Sequence, residues 1–141
     1  MANQKDTKPV GLTASAGYQI GVRRTLPIST EHAWAYIVSP EGLERWLSSG
    51  RALAVQKGEI YTTKDGFTGE LRVVKPYEQL RLTWQKQGWS QRSTLQIRLL
   101  AGGPVKTTVS FHQEKLDSAD VRADMKAYWE AAIEQMSANG S

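Results

Sequence analysis

A chain of 141 residues with 40% hydrophobic and 23% charged content has the length and composition of one soluble globular domain. The absence of cysteine excludes disulfides, thiol catalysis and thiolate metal sites, and no apolar run is long enough to cross a bilayer as a helix. The net charge of +4 is spread along the sequence (Arg23, Arg24, Arg51, Lys57, Lys64, Arg72, Arg81, Arg92, Arg98), which argues for a solvated basic surface rather than a nucleic-acid face.

Residues 1–16 are polar and poor in apolar side chains, and read as a flexible tail with no secretory signal. From Tyr18 to Leu26 the pattern alternates, with Tyr18, Ile20, Val22 and Leu26 on one face of a first strand. Pro27 ends it. Ser29 or Thr30 then offers an N-cap oxygen for a short helix over 30–38, whose apolar face carries Ala33, Trp34, Ile37 and Val38. Pro40 restarts the chain as a second short helix, since a first-turn proline lacks only an N–H that has no partner there. Leu43, Trp46 and Leu47 form its apolar stripe.

Six strands are expected next. They run over 51–56, 59–63, 67–74, 79–84, 93–100 and 105–111. Asp65-Gly66 is the turn of a hairpin, and Gly102-Gly103-Pro104 turns the chain again. Leu80, Leu82 and Trp84 share a face, as do Leu95, Ile97 and Leu99, and Val105, Thr107, Val109 and Phe111. A final helix over 118–137 carries Val121, Met125, Tyr128, Trp129, Ala132, Ile133 and Met136 at helical spacing. The last residues, 138–141, read as a tail, and one domain spans 17–137. The class is α+β: a curved antiparallel sheet of about seven strands around a long C-terminal helix, with two short helices after the first strand.

Reactive constellations are scarce. His32 and His112 are the only histidines, and His112 has the parity of a solvent-facing position opposite Phe111. No HExxH, GxGxxG or GxxxxGK[ST] pattern occurs. Neither a metal site nor a cofactor is expected, and no catalytic residue is assigned. Arg24 shares the inward parity of Val22 and Leu26, so it calls for a carboxylate partner or a bound anion, the structural pair first, unless it reaches water at the strand end. Trp89 stands in a polar turn, where it serves as a mouth residue, a partner anchor, a self-association patch or a cover for a neighbouring loop.

The ordered set Arg24, Pro27, Glu31, Trp34, Pro40, Glu41, Leu43, Trp46, Gly58, Gly69, Leu80, Trp84 and Trp129 resembles the SRPBCC superfamily, the helix-grip fold of START domains and the birch-pollen allergen. Within it, the chain is similar to the branch named after the activator of the ninety-kilodalton heat-shock chaperone ATPase. The resemblance covers about residues 18–137 and implies a cavity between sheet and long helix that receives apolar molecules. Candidate lining residues are Trp46, Tyr61, Trp84, Leu95, Val109, Met125, Tyr128 and Trp129; Arg24, Trp34, Pro40 and Leu43 belong to the structural motif. Trp34 is expected in the core and Trp46 at the core or the cavity mouth.

The leading expectation is a non-enzymatic carrier or sensor for a small apolar molecule or lipid, in the cytoplasm. One alternative is a cyclase or hydratase using Tyr128 as acid. The other is a chaperone-associated interaction module. A homodimer and a chaperone are the protein partners that the resemblance implies; nucleic acid and a membrane span are not expected.

Overall fold

The computed structural model describes residues 12–13, 17–48 and 54–139. After the two-residue β1 (Leu12–Thr13) come β2 (Gly17–Leu26), α1 (Thr30–Val38), α2 (Pro40–Trp46), β3 (Ile60–Thr62), β4 (Phe67–Lys75), β5 (Gln79–Lys86), β6 (Ser93–Gly103), β7 (Lys106–Leu116) and α3 (Ala119–Asn139). The strands form one antiparallel, curved open sheet in the order β1-β2-β7-β6-β5-β4-β3. Six strands carry the sheet, and β1 adds two residues at its edge from within the stretch read as tail. α3 lies across the inner face, giving the helix-grip arrangement.

Local chemistry accounts for the short helices. The Ser29 hydroxyl caps α1 by accepting from the His32 N–H at 3.0 Å. Ser39 links the two helices: its hydroxyl donates to the Tyr36 carbonyl at 2.7 Å and accepts from the Gly42 N–H at 3.0 Å. A Cβ at Gly42 would overlap the Tyr36 carbonyl, so this corner admits only glycine.

Three expectations change. The strand over 51–56 lies partly outside the described residues, and residues 54–56 are not extended pairing partners. Val55 adopts φ 56°, and the backbone N–H groups of Ala54 and Gln56 donate to the Glu59 carboxylate at 3.1 and 3.4 Å, so this part of the chain loops instead. Trp34 is half-buried rather than core. The buried face of α1 is Ala33, Tyr36 and Ile37, one position round from the expected stripe, and Trp34 packs against Tyr77 with centroids 6.3 Å apart. Val105 belongs to the β6–β7 turn and is exposed, while β7 runs on past Phe111 to Leu116.

The core fills the space between sheet and α3. Trp46, Trp84, Trp129, Tyr61 and Phe111 are among its largest fully buried side chains. α3 is fastened to β2 and to α2. Arg122 Nε donates to the Gln19 carbonyl of β2 at 2.8 Å, Arg24 pairs with Glu134 at 2.9 Å, and Arg45 of α2 donates to Gln135 at 2.7 Å. Arg24 therefore finds the carboxylate that its inward parity demanded.

Candidate functional site

Between α3 and the strand ends beside it a cleft of about 410 Å³ opens. Val121, Asp124, Met125 and Tyr128 form its helical wall; Asp65, Phe67, Lys86 and Trp89 form the other. Both walls are held from the backbone. Gly66 at φ 93° turns the chain into β4, where the Phe67 N–H donates to Thr63 Oγ1 at 3.0 Å. Gly88 at φ 99° and the Trp89 N–H bond to the Lys86 carbonyl, at 3.0 Å, set the turn that presents Trp89. Ser90 ties that turn to the start of α3, donating from its backbone and its hydroxyl to the Asp117 carboxylate at 2.6 and 2.8 Å.

The floor is aromatic. Phe67 meets Trp89 and Tyr128 edge-on, at 5.8 and 5.7 Å between centroids, and Lys86 Nζ stands 5.1 Å from the Phe67 ring centre. Behind this floor the rings continue inward. Trp84 lies 5.0 Å from Phe67, 5.8 Å from Tyr128 and 4.8 Å from Trp129, and Trp129 stacks on Phe111 at 5.1 Å.

Two of the eight expected lining residues, Met125 and Tyr128, border this cleft. The other six, Trp46, Tyr61, Trp84, Leu95, Val109 and Trp129, are buried behind it. The Trp46 indole N–H donates to the Ile37 carbonyl at 2.9 Å, tying that ring to α1. Tyr61 donates to the Thr83 carbonyl, and burial pushes its phenol up. Of the motif residues, Leu43 is core, Pro40 opens α2, and Arg24 and Trp34 act at the edges described above.

Tyr128 brings a hydroxyl to the site. Burial pushes its phenol up to about 12, with the Asp65 carboxylate adding in the same direction and a hydrogen bond with Ser48 opposing it. The hydroxyl therefore stays protonated and can donate. A second hollow of about 160 Å³, between Arg45, Ser48, Asp65 and Gln135, lies on the other side of this ring.

Deeper polar atoms form a buried relay. Trp129 Nε1 donates to Gln113 Oε1 at 2.7 Å, Gln113 Nε2 donates to Ser93 Oγ at 2.8 Å, and Ser93 Oγ donates to the Trp84 carbonyl at 2.5 Å. The indole N–H of Trp84 has no partner, although it is buried. Gln113 and Ser93 escaped the sequence reading because both are polar. Extending the alternation Val109, Phe111 by one step would have placed Gln113 inward. Among the described residues no cluster of three or more His, Asp or Glu could hold a metal ion, and no helix is long and apolar enough to cross a membrane.

Comparison with solved structures gives the same fold. CalU16 from Micromonospora echinospora is 18% identical, with TM-score 0.75 over 92% of this chain and 81% of its own. An HSP90 activator from Plasmodium falciparum is 10% identical, with TM-score 0.72 over 84% of this chain and 92% of its own. The Aha1 dimer from Colwellia psychrerythraea is 15% identical, with TM-score 0.69 over 84% and 92%. No curated protein matches the sequence. The family described as activator of Hsp90 ATPase homolog 1-like protein matches residues 27–139, so the chain belongs to that family, within the SRPBCC superfamily.

Proposed function

We propose that this protein binds a small amphipathic molecule as a non-enzymatic carrier or sensor. A flat apolar body lies against Phe67, Trp89, Val121, Met125 and Tyr128, and a polar group meets the rim of Asp65, Lys86 and Asp124. The observation that carries this reading is the open, aromatic-floored cleft between α3 and the Phe67–Trp89 wall. Its volume of about 410 Å³ suits a small-molecule guest, and apolar walls with a few polar groups are what such sites use. The Trp84 ring packs directly behind this floor, against Phe67 and Tyr128. Charged groups at the rim favour an amphipathic molecule over a plain hydrocarbon chain.

Family membership supports a ligand-binding or activator-like domain. The cyclase or hydratase reading is weaker on chemical grounds. A phenol held at about 12 is a poor proton source near neutrality, where a general acid works best with a pKa close to the ambient pH.

The test uses 1-anilinonaphthalene-8-sulfonate and oleate as probes, read by native mass spectrometry and tryptophan emission. One equivalent of the naphthalene probe is expected to bind, with affinity falling about ten-fold in Trp89→Ala and in Tyr128→Ala. No bound mass and unchanged emission with either probe would overturn the reading.

A further inference from the structure

The arginines that look scattered along the sequence are gathered by the fold. On the outer, convex side of the sheet a groove of about 660 Å³ is lined by Arg72, Arg81, Arg92 and Lys115. A second groove of about 500 Å³ adjoins it, sharing Gln96 and His112 and adding Arg23 and Arg98. The register explains the convergence. Arg23 of β2 and Arg98 of β6 both pair with Ser110 of β7. They occupy one row, two strand spacings or about 10 Å apart. Arg81 pairs with Gln96 in the adjoining strands and donates to its side-chain oxygen at 3.0 Å.

These cations are poorly neutralised. Arg72 reaches Glu70 at 3.4 Å, but among the described residues Arg23, Arg81, Arg92 and Arg98 form no ion pair. Glu114 is the one carboxylate lining either groove. No arginine here stands directly opposite another across a ladder, since Arg23 and Arg98 face Ser110 and Arg81 faces Gln96, so the sheet tolerates the cations, but nothing in the packing of this solvent-facing side requires them. An anionic partner supplies the missing reason.

We propose that this face docks an extended acidic segment of a partner protein. Guanidinium groups donate to carboxylates in a two-pronged geometry, and on extended chain carboxylates two residues apart share one face at about 7 Å spacing, within reach of long arginine side chains set about 10 Å apart in their row. Neutral hydrogen-bonding groups, Thr94 and Gln96, lie between the cations to meet peptide backbone. A single-stranded nucleic acid fits less well, because no Trp, Tyr or Phe lines either groove to stack on bases. The surface is separate from the α3 cleft, so the proposal stands or falls independently of the ligand reading.

The experiment titrates the full chain into a fluorescein-labelled peptide of alternating Glu and Ser, read by anisotropy, with an oligothymidine and a Gln/Ser peptide in parallel. Saturable one-to-one binding of the acidic peptide is expected, weakening as salt rises. It should fall at least about ten-fold in Arg81→Glu/Arg98→Glu and in the milder Arg23→Gln/Arg98→Gln. Amide shifts should map to β5, β6 and β7, and both variants should bind the naphthalene probe as the parent does. Tighter binding of the oligothymidine, unchanged peptide affinity in both variants, or shifts confined to α3 would overturn the proposal. So would a chain that self-associates through this face and ignores the peptide.

Discussion

Trp129 on α3 donates its indole N–H to Gln113 on β7 at 2.7 Å, and both side chains are fully removed from solvent. This bond fixes the rotation of the helix about its own axis, because it joins a side chain in the middle of α3 to one strand position. Gln113→Leu keeps the volume but strands the Trp129 donor, which costs about 1–3 kcal/mol. Trp129→Phe loses ring contacts as well as the bond. If the two act as a unit, Gln113→Leu/Trp129→Phe will cost less than the sum of the single changes. Urea denaturation of the four proteins measures this, and strict additivity would remove the coupling.

Gly69 sits opposite Tyr61 in the β3–β4 pairing. A Cβ there would overlap both the Thr83 carbonyl oxygen and the Tyr61 hydroxyl, which are themselves hydrogen-bonded. Ordinary overpacking costs ~1–3 kcal/mol; Gly69→Ala is expected to exceed that, because one of the overlapped groups is backbone. The thermal midpoint should drop accordingly, and Gly58→Ala is the comparison. Gly58 has a positive φ, 92°, which Gly69 does not, and a Cβ there meets nothing within 4 Å. A loss at position 69 no larger than at position 58 would show that the overlap with Thr83 and Tyr61 does not govern it.

Periodicity and capping place α1, α2 and α3 within a residue or two, since helix signals are local: Ser29, Ser39 and Pro40 mark ends that depend on their neighbours alone. Strand alternation finds Leu80, Leu82, Trp84, Leu95 and Phe111 on the inner face. What stays hidden depends on register. Only the pairing of β2, β7 and β6 brings Arg23 and Arg98 into one row, and no local signal reports it. The cleft is hidden for a similar reason, as Phe67, Trp89 and Tyr128 come from three elements. Trp34 misled because its own helix buries Tyr36 in preference, leaving the indole to pack on Tyr77.

The Arg24–Glu134 pair joins β2 to α3 at 2.9 Å, yet its side chains are 40% and 68% exposed. Exposed pairs of this kind contribute roughly 0–1 kcal/mol. Arg24→Ala is therefore expected to cost less than about 1 kcal/mol, with the effect shrinking at high salt. The pair orients the helix more than it stabilises the fold. A larger, salt-independent loss in urea denaturation would instead assign the arginine stem a packing role against β2.

Alkaline pH should expose the state of the cleft. Tyr128 titrates at about 12 in the folded chain against an ordinary 10.0, and burial pushes Tyr61 up as well. The native protein thus holds these protons more tightly than the unfolded chain does. That stability is present in full below pH 10.0 and is lost as pH rises towards 12. Tyr128→Phe removes one of the two groups, so the decline across this window should become shallower. Asp65→Asn takes away the neighbouring carboxylate and should lower the Tyr128 midpoint, read as tyrosinate absorbance. A guest seated against Tyr128 buries the phenol further and should raise that midpoint. A midpoint unmoved by saturating naphthalene probe would place the probe away from this ring.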